Sequence, residues 1–395
     1  MSKHANQRRA DFELLDRDPG LDFLRALSVV CMTAAHFSYH LPHLTAASRI
    51  LQFFFELAPP LFFFSFGMTF DRFFSKGPAE MRVRSRRFFY LTLCVNLLFH
   101  RRLLASDFFW FLWFWQAAAA LAESFAGALT RLWGLMTVLI AAALFIFPFT
   151  SVSNVFSLGM PGSFPLIPWG GLVLAGIVFS RLGGKPARDL LIGAILLSAG
   201  LGLGQAGRPE AWSNLALIRW PMSGPYFLTG LGFVIFVTSA VRLWAPVYYS
   251  LTRISKACEY ISKNLLLFVV LHFAAYVPVV LFMGIFGGMD QIRAHPGLDA
   301  AFLLIGGAAS AAVLVLMVMA AKALWPAVKN AWPFKMARKN FDLTAILMIA
   351  AVTLFGGDAT HVPTAWTFTL TDAAIWFMMW YFALEMKQSS DEAGL

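Results

Sequence analysis

Residues 21–41 read LDFLRALSVVCMTAAHFSYHL, an apolar segment of membrane-spanning length that contains Arg25 and His36. Ionisable side chains inside a membrane helix are costly, and they usually face a protein interior or a water-filled cavity. An α-helix turns by about 100° per residue, so the steps from Arg25 to His36 end about 20° past three full turns. The sequence therefore predicts that both side chains lie on one face of a helix, roughly 16 Å apart along its axis.

The composition of the whole chain is that of a membrane protein. The 395 residues are 59% hydrophobic and 13% charged, with a mean hydropathy of +0.68. Soluble domains carry a charged fraction of about a quarter, so the composition predicts an all-α, polytopic helical membrane protein. The formal net charge of +10 comes from basic residues that lie between apolar runs. Cytoplasmic loops require that pattern, so we expect a lipid bilayer and no nucleic acid as a partner.

The cysteines and the N-terminal segment exclude several other classes. Cys31, Cys94 and Cys258 show no disulfide framework and no metal-ligand spacing, so we expect no metal site. The first 20 residues are polar and mixed in charge, and no cleavage site follows the first apolar run. A cleavable signal peptide is therefore not expected.

Twelve apolar segments approach the length that a bilayer requires, although three of them are short. They cover residues 22–41, 50–70, 86–100, 107–126, 132–149, 165–182, 188–204, 226–244, 264–286, 300–320, 343–357 and 366–385. We expect about 10–12 transmembrane helices in a membrane domain spanning residues 22–385. Residues 1–21 and 386–395 are then the two terminal tails.

The distribution of basic residues predicts the orientation of the chain. With the N-terminus in the cytoplasm, the inner connections and tails hold 24 Lys and Arg residues and the outer connections hold 6. The positive-inside rule therefore predicts that both termini are cytoplasmic, and we expect the bacterial inner (plasma) membrane. The most basic inner connection, Asp71–Arg87, is expected to anchor this side and to be available to phosphate groups.

Glu56 is the second candidate for chemistry. The second span returns through the membrane, which places Glu56 at about the depth of His36. A carboxylate beside an imidazole raises its basicity, and a general base is usually prepared in this way. Other interpretations remain open: Arg25 can extend to lipid headgroups, His36 can be a packing residue, and Glu56 can pair with an outer arginine.

Four motifs, in chain order, resemble the transmembrane acyltransferase superfamily. Residues 21–27 (LDFLRAL) followed by His36 resemble its Arg-x10-His opening, which acyltransferase family 3 shares. Residues 58–67 (APPLFFFSFG) resemble its second helix. Residues 164–171 (FPLIPWGG), continuing to Gly176, are similar to the Pro-Trp segment of the heparan-α-glucosaminide N-acetyltransferase catalytic-domain family. Asn264 followed by His272 resembles that family's later Asn-Ser-Leu…Tyr-x-x-His helix, although KNLLLF at 263–268 lacks the serine.

The resemblance implies an integral membrane acyltransferase. Such an enzyme moves an acyl group, here an acetyl group, from cytoplasmic acyl-CoA to a hydroxyl or amine of a carbohydrate-type acceptor across the membrane. Acyl-CoA is then a co-substrate, and no permanently bound cofactor is implied.

The resemblance and the helix positions together give the candidate site residues. His36 either deprotonates the acceptor or is itself transiently acylated, Arg25 orients the donor, and Glu56 supports the imidazole. The candidate substrate-binding residues are His272, Asn264, Ser65 and Trp169.

Two other function classes stay open at this stage. A secondary transporter or lipid-linked-sugar flippase also suits many spans with buried ionisable groups, and it predicts symmetry between halves and broken helices. No convincing match between the two halves is visible in the sequence. In a membrane scaffold, Arg25 and His36 would be replaceable at a cost in stability alone. A homo-oligomer is compatible with each of these readings.

Overall fold

The computed structural model describes residues 17–41, 45–70, 78–100, 107–124, 164, 166–207, 222–288, 291, 295–330, 341–355, 375 and 377–386. The predicted span 132–149, the start of the span 366–385 and most of both predicted tails lie outside these residues. Within the described residues the secondary structure is helical, without strands.

The described residues form fourteen α-helices. Their bounds are α1 Pro19–Ser38, α2 Ala46–Phe55, α3 Ala58–Met68, α4 Pro78–His100, α5 Phe108–Ser124, α6 Leu166–Leu182, α7 Pro186–Gly207, α8 Gly224–Leu243, α9 Ala245–Ser250, α10 Thr252–Lys263, α11 Leu265–Ile285, α12 Asp299–Asn330, α13 Phe341–Phe355 and α14 377–386. A 3-10 turn, Pro296–Leu298, precedes α12.

Six helical segments of the described chain are long and apolar enough to cross a bilayer. They are Pro19–Ser38, Ala46–Met68, Pro186–Gly204, Gly224–Leu243, Leu265–Ile285 and Asp299–Asn330. A shorter apolar helix covers Trp169–Leu182. The predicted all-α, polytopic membrane class is therefore confirmed.

Two helices extend beyond the predicted spans. Helix α12 has 32 residues, which corresponds to about 48 Å and exceeds the roughly 30 Å of the hydrocarbon core. Helix α4 begins at Pro78, so the second part of the predicted Asp71–Arg87 connection is helical. Proline is favoured in the first turn of a helix, and arginine is a good helix former, so the basic residues do not end the helix.

Helix α1 begins at a defined cap. The Asp18 side chain accepts a hydrogen bond from the Gly20 backbone N–H at 3.0 Å, and Pro19 occupies the first turn. These features satisfy one of the unpaired N–H groups at a helix start and fix its direction. Helix α1 then packs against α2, α3, α8, α10, α11 and α12, which makes it the central helix of the described bundle.

The second membrane segment is broken rather than continuous. Helix α2 ends at Phe55, Glu56 and Leu57 form a turn, and α3 begins at Ala58. Pro59 and Pro60 lack the N–H groups that would continue the hydrogen bonding of α2, so the chain starts a new helix there. The break sets Glu56 at a helix end inside the protein, where it is 3% exposed.

Helices α3 and α6 cross at very short range through two glycines. A Cβ atom on Gly67 would lie 2.0 Å from the Val173 carbonyl oxygen, and one on Gly176 would lie 2.2 Å from the Phe64 carbonyl oxygen. Small residues allow membrane helices to approach closely. This contact holds α3 beside α6 and so fixes the position of Glu56 and Thr69 at its two ends.

Candidate functional site

Helices α1 and α11 run parallel and side by side. At one end, Arg25 Nη1 donates to Ser262 Oγ at 3.2 Å, just before α11 begins. At the other end, the ring centroids of His36 and His272 lie 5.0 Å apart. We use the word cleft for the contact zone between α1, α11 and α3, and we call these its Arg25 end and its His36 end.

Helix α3 lines the same cleft, and its chain direction is opposite to that of α1 and α11. Arg25 Nη2 donates to Thr69 Oγ1, just after α3, at 3.3 Å. Glu56, just before α3, accepts a hydrogen bond from the hydroxyl of Tyr39 at the end of α1. Side chains on α1 therefore have partners from α3 and its flanks at both ends of the cleft.

His272 is the most enclosed ionisable group at the His36 end. Its side chain is 1% exposed, and Nδ1 is hydrogen-bonded to the Val269 carbonyl oxygen. Because a carbonyl oxygen only accepts, Nδ1 carries the proton, and Nε2 of a neutral ring is then an acceptor. Nε2 is buried and has no hydrogen-bond partner within the described part of the chain.

Aromatic side chains surround the histidine pair. The His36 ring stacks on Tyr276 at 6.2 Å with an interplanar angle of 9°, and it meets Phe273 at 5.1 Å and Tyr39 at 5.8 Å edge-on. His36 is only partly buried, and Tyr39 is 50% exposed. The His36 end therefore has exposed surface at Tyr39 and His36, whereas His272 is buried.

Glu56 is held by two tyrosines. Its carboxylate accepts from the Tyr39 hydroxyl, and its backbone carbonyl accepts from the Tyr226 hydroxyl at 2.6 Å. Since the Tyr39 ring also touches that of His36, Glu56 is linked to the surroundings of His36 through Tyr39. Its predicted support for the imidazole stays a prediction.

Asn264 lies between α10 and α11 at the Arg25 end. It is 3% exposed, and its Nδ2 donates to the Tyr260 carbonyl oxygen at 2.6 Å. Its Oδ1 is buried without a hydrogen-bond partner among the described residues. The Arg25 end thus combines a guanidinium, the hydroxyls of Ser262 and Thr69, and a buried amide oxygen.

Charged residues join the start of α1 to α10 at the same end of the molecule. Arg17 pairs with Asp22, which precedes Arg25 by three residues on α1, and with Glu259 at 3.1 Å. Lys263 also pairs with Glu259, at 2.6 Å, and this hydrogen bond holds the pKa of the Glu259 carboxyl below its ordinary value. These pairs fix α10 and its Ser262 against α1.

The remaining two candidates, Ser65 and Trp169, contact residues other than the histidine pair. The Ser65 hydroxyl donates to the Phe62 carbonyl oxygen of its own helix at 2.9 Å. Trp169 is fully buried, and its ring packs against Phe63 at 5.5 Å and against Tyr226 at 6.1 Å. Through Tyr226, Trp169 supports the turn that carries Glu56.

Sequence reasoning missed four side chains of the cleft. Tyr39 and Tyr276 follow His36 and His272 by three and four residues, so helical spacing alone places each on the face of its histidine. Ser262 and Thr69 gave no such signal, because only tertiary packing brings them to Arg25. Within the described residues, no three His, Cys, Asp or Glu side chains are grouped so that they could hold a metal ion.

Comparison with known proteins supports the predicted resemblance. The family described as "Heparan-alpha-glucosaminide N-acetyltransferase, catalytic" matches residues 17–207, which include Arg25, His36 and Glu56. Asn264 and His272 lie beyond the matched region. No curated protein and no solved structure matches the chain. Residues 17–207, just under half of the chain, are therefore similar to the heparan-α-glucosaminide N-acetyltransferase catalytic-domain family, and the chain is an all-α integral membrane protein.

Proposed function

We propose that this protein is a membrane acyltransferase that moves an acetyl group from acyl-CoA to a hydroxyl or amine of a carbohydrate-type acceptor on the other side of the membrane. The family match supports acetyl transfer at a membrane. The proposal adds the identity of the donor, the identity of the acceptor and the direction of transfer.

One observation carries the proposal: two histidines from distant parts of the chain meet in a cleft that has a guanidinium at its opposite end. Acyl transfer to a hydroxyl or amine needs a group that removes a proton, and histidine is the usual choice. The donor also needs a cationic or hydrogen-bonding partner along its length. A cleft with these groups at opposite ends suits a long donor whose reactive carbonyl lies at one tip.

In this mechanism the thioester carbonyl of acyl-CoA lies beside His36. His36 accepts the proton of the acceptor, the acceptor oxygen or nitrogen attacks the carbonyl carbon, and the C–S bond breaks. The proton then passes to the departing thiolate, which leaves as free CoA. His272 Nε2, a buried acceptor without a partner among the described residues, accepts a hydrogen bond from the His36 ring or from the acceptor in this proposal. In the alternative route, His36 first carries the acetyl group itself.

The donor is proposed to enter at the Arg25 end, which is the cytoplasmic side in the predicted topology. Arg25 donates to a carbonyl or phosphate oxygen of the donor, and the basic residues of the Asp71–Arg87 region, whose first part lies outside the described residues, attract the CoA phosphates. The acceptor approaches through the opening between Tyr39 and Tyr276 at the His36 end.

The test is transfer by purified protein in lipid nanodiscs supplied with radiolabelled acetyl-CoA and candidate amino sugars and sugars. His36→Ala is expected to abolish transfer while leaving acyl-CoA binding in place, because the base is lost and the donor contacts remain. His295→Ala is the matched control, because His295 is exposed and lies outside the cleft. Wild-type transfer by His36→Ala would contradict the proposal.

Incubation without acceptor separates the two chemical routes. Label that stays on the protein and depends on His36 indicates an acetyl-histidine intermediate, whereas transfer without such retention indicates direct attack by the acceptor. The proposed function holds in both cases, and only the order of bond formation differs.

The rival function, a transporter or flippase, draws support from the broken helix at Glu56, because broken helices often form transporter binding sites. It predicts movement of an unmodified substrate across vesicles in the absence of acyl-CoA. The acyltransferase predicts a covalently acetylated product and no flux without the donor, so one vesicle assay distinguishes the two.

A further inference from the structure

Asn264 has a buried oxygen atom without a hydrogen-bond partner among the described residues. The Tyr260 carbonyl accepts from the Asn264 amide group at 2.6 Å, and a carbonyl cannot donate, so the amide nitrogen is the atom that faces Tyr260. The other atom, Oδ1, is therefore an oxygen, and it is buried without a partner in the described residues.

A buried carbonyl oxygen without a hydrogen bond is unfavourable, and such a group calls for an explanation. A ligand that brings an N–H or O–H donor to this point removes the cost. Arg25 donates to Ser262, two residues before Asn264, so this end of the helix pair also supplies hydrogen-bond donors. The Arg25 end therefore offers donors and one acceptor, as a ligand with an amide group requires.

The distance from Asn264 to the histidine pair selects one amide of the donor. Asn264 precedes His272 by eight residues along α11, which corresponds to about 12 Å at 1.5 Å per residue. The pantetheine arm of CoA has two amide nitrogens, three and seven bonds from the sulfur. An extended chain advances about 3.5 Å per three bonds, so the second amide lies about 8 Å from the sulfur.

Adding a hydrogen bond of about 3 Å brings the second amide within reach of Asn264, whereas the first amide, about 3.5 Å from the sulfur, remains too close to the histidines. We propose that Asn264 Oδ1 accepts a hydrogen bond from the pantoyl amide N–H of acyl-CoA, with Arg25 donating to oxygen atoms of the same arm. This inference rests on the proposed function, because it assumes that the thioester lies at the histidine pair.

The experiment compares acetyl-CoA with an analogue in which an ester oxygen replaces the pantoyl amide N–H. The analogue keeps the length and the carbonyl but lacks the donor. We expect wild-type protein to lose about tenfold in kcat/KM with this analogue. Asn264→Leu is expected to use both donors equally well, and Asn264→Asp, which keeps an acceptor oxygen, to retain the preference for the amide.

Two controls isolate the contact. An analogue with the ester at the first amide is expected to affect wild type and Asn264→Leu to the same extent. Ser262→Ala is expected to lower kcat/KM by the same factor for the amide and the ester donor. The reason is that Ser262 contacts Arg25 and not the Asn264 side-chain oxygen. The same comparison by equilibrium binding of CoA and its ester analogue gives a readout that does not need turnover.

Each outcome decides the inference. Equal use or equal binding of the amide and ester donors by wild-type protein overturns it without any variant, as does a tenfold preference that survives in Asn264→Leu. Absence of any acetyl transfer by wild-type protein contradicts the proposed function instead, and the binding comparison then still tests the amide contact.

Discussion

Arg25 contacts hydroxyl groups from two other segments. It lies at the opposite end of α1 from His36, so its proposed role is in donor binding and not in proton transfer. Its guanidinium is bonded to Ser262 and Thr69. Charge-assisted hydrogen bonds are the stronger class, so a donor oxygen that shares this guanidinium gains appreciable binding energy. We expect this effect for the donor alone, because the proposed route of the acceptor is at the His36 end.

Replacing Arg25 by alanine is expected to raise the KM for acyl-CoA by roughly tenfold to a hundredfold, the range for hydrogen bonds to charged groups. The KM for the acceptor is expected to change little. Steady-state kinetics with each substrate varied in turn measures the two values. Arg253→Ala, which removes an exposed cation of α10, is the control for charge alone. A rise in the KM for the acceptor alone would contradict the assignment of Arg25 to acyl-CoA binding.

At the scale of the elements, the site depends on how α3 is held. The segment 50–70 was predicted as one span, and the structure divides it at Glu56 and Leu57. Pro59 and Pro60 were the local signal for this division. The crossing of α3 and α6 at Gly67 and Gly176 has no equivalent local signal, because it depends on two helices that are far apart in sequence.

Gly67→Ala is expected to destabilise the protein by about 1–3 kcal/mol or more, since the added Cβ would meet the Val173 backbone oxygen at 2.0 Å. Gly202→Ala is the matched control in α7, where a Cβ meets no atom within 4 Å. Alanine is favoured over glycine inside a helix by about 1 kcal/mol, so this variant is expected to be at least as stable as wild type. Thermal unfolding in detergent measures both, and an unchanged Tm for Gly67→Ala would show that the helices can separate.

At the scale of the whole molecule, the relative directions of α1, α3 and α11 agree with alternating spans. The sequence assigns the Arg25 end to the cytoplasm through the positive-inside rule, and this assignment stays a prediction. The family match covers α1 to α7, whereas α10 and α11 lie outside it. The cleft therefore joins a matched and an unmatched region of the chain.

The orientation is tested with cysteines introduced at exposed positions before and after α11. Lys256 lies before this helix and His295 lies after it, and both are exposed. The native Cys31, Cys94 and Cys258 are buried. A membrane-impermeant maleimide added to intact cells is expected to label His295→Cys and to spare Lys256→Cys, with both labelled in opened membranes. The reverse pattern would invert the predicted topology.

The sequence by itself determined that the chain forms apolar helices of membrane-spanning length. It also determined that Arg25 and His36 share a helix face. A bilayer requires the backbone N–H and C=O groups to be hydrogen-bonded within the segment, and the geometry of the resulting helix fixes which residues share a face. Only the tertiary structure decided that His36 meets His272 and that Arg25 meets Ser262 and Thr69. It also decided that the buried Asn264 oxygen has no partner among the described residues. The rotation of one helix against another depends on packing between distant segments, and no local pattern of residues encodes it.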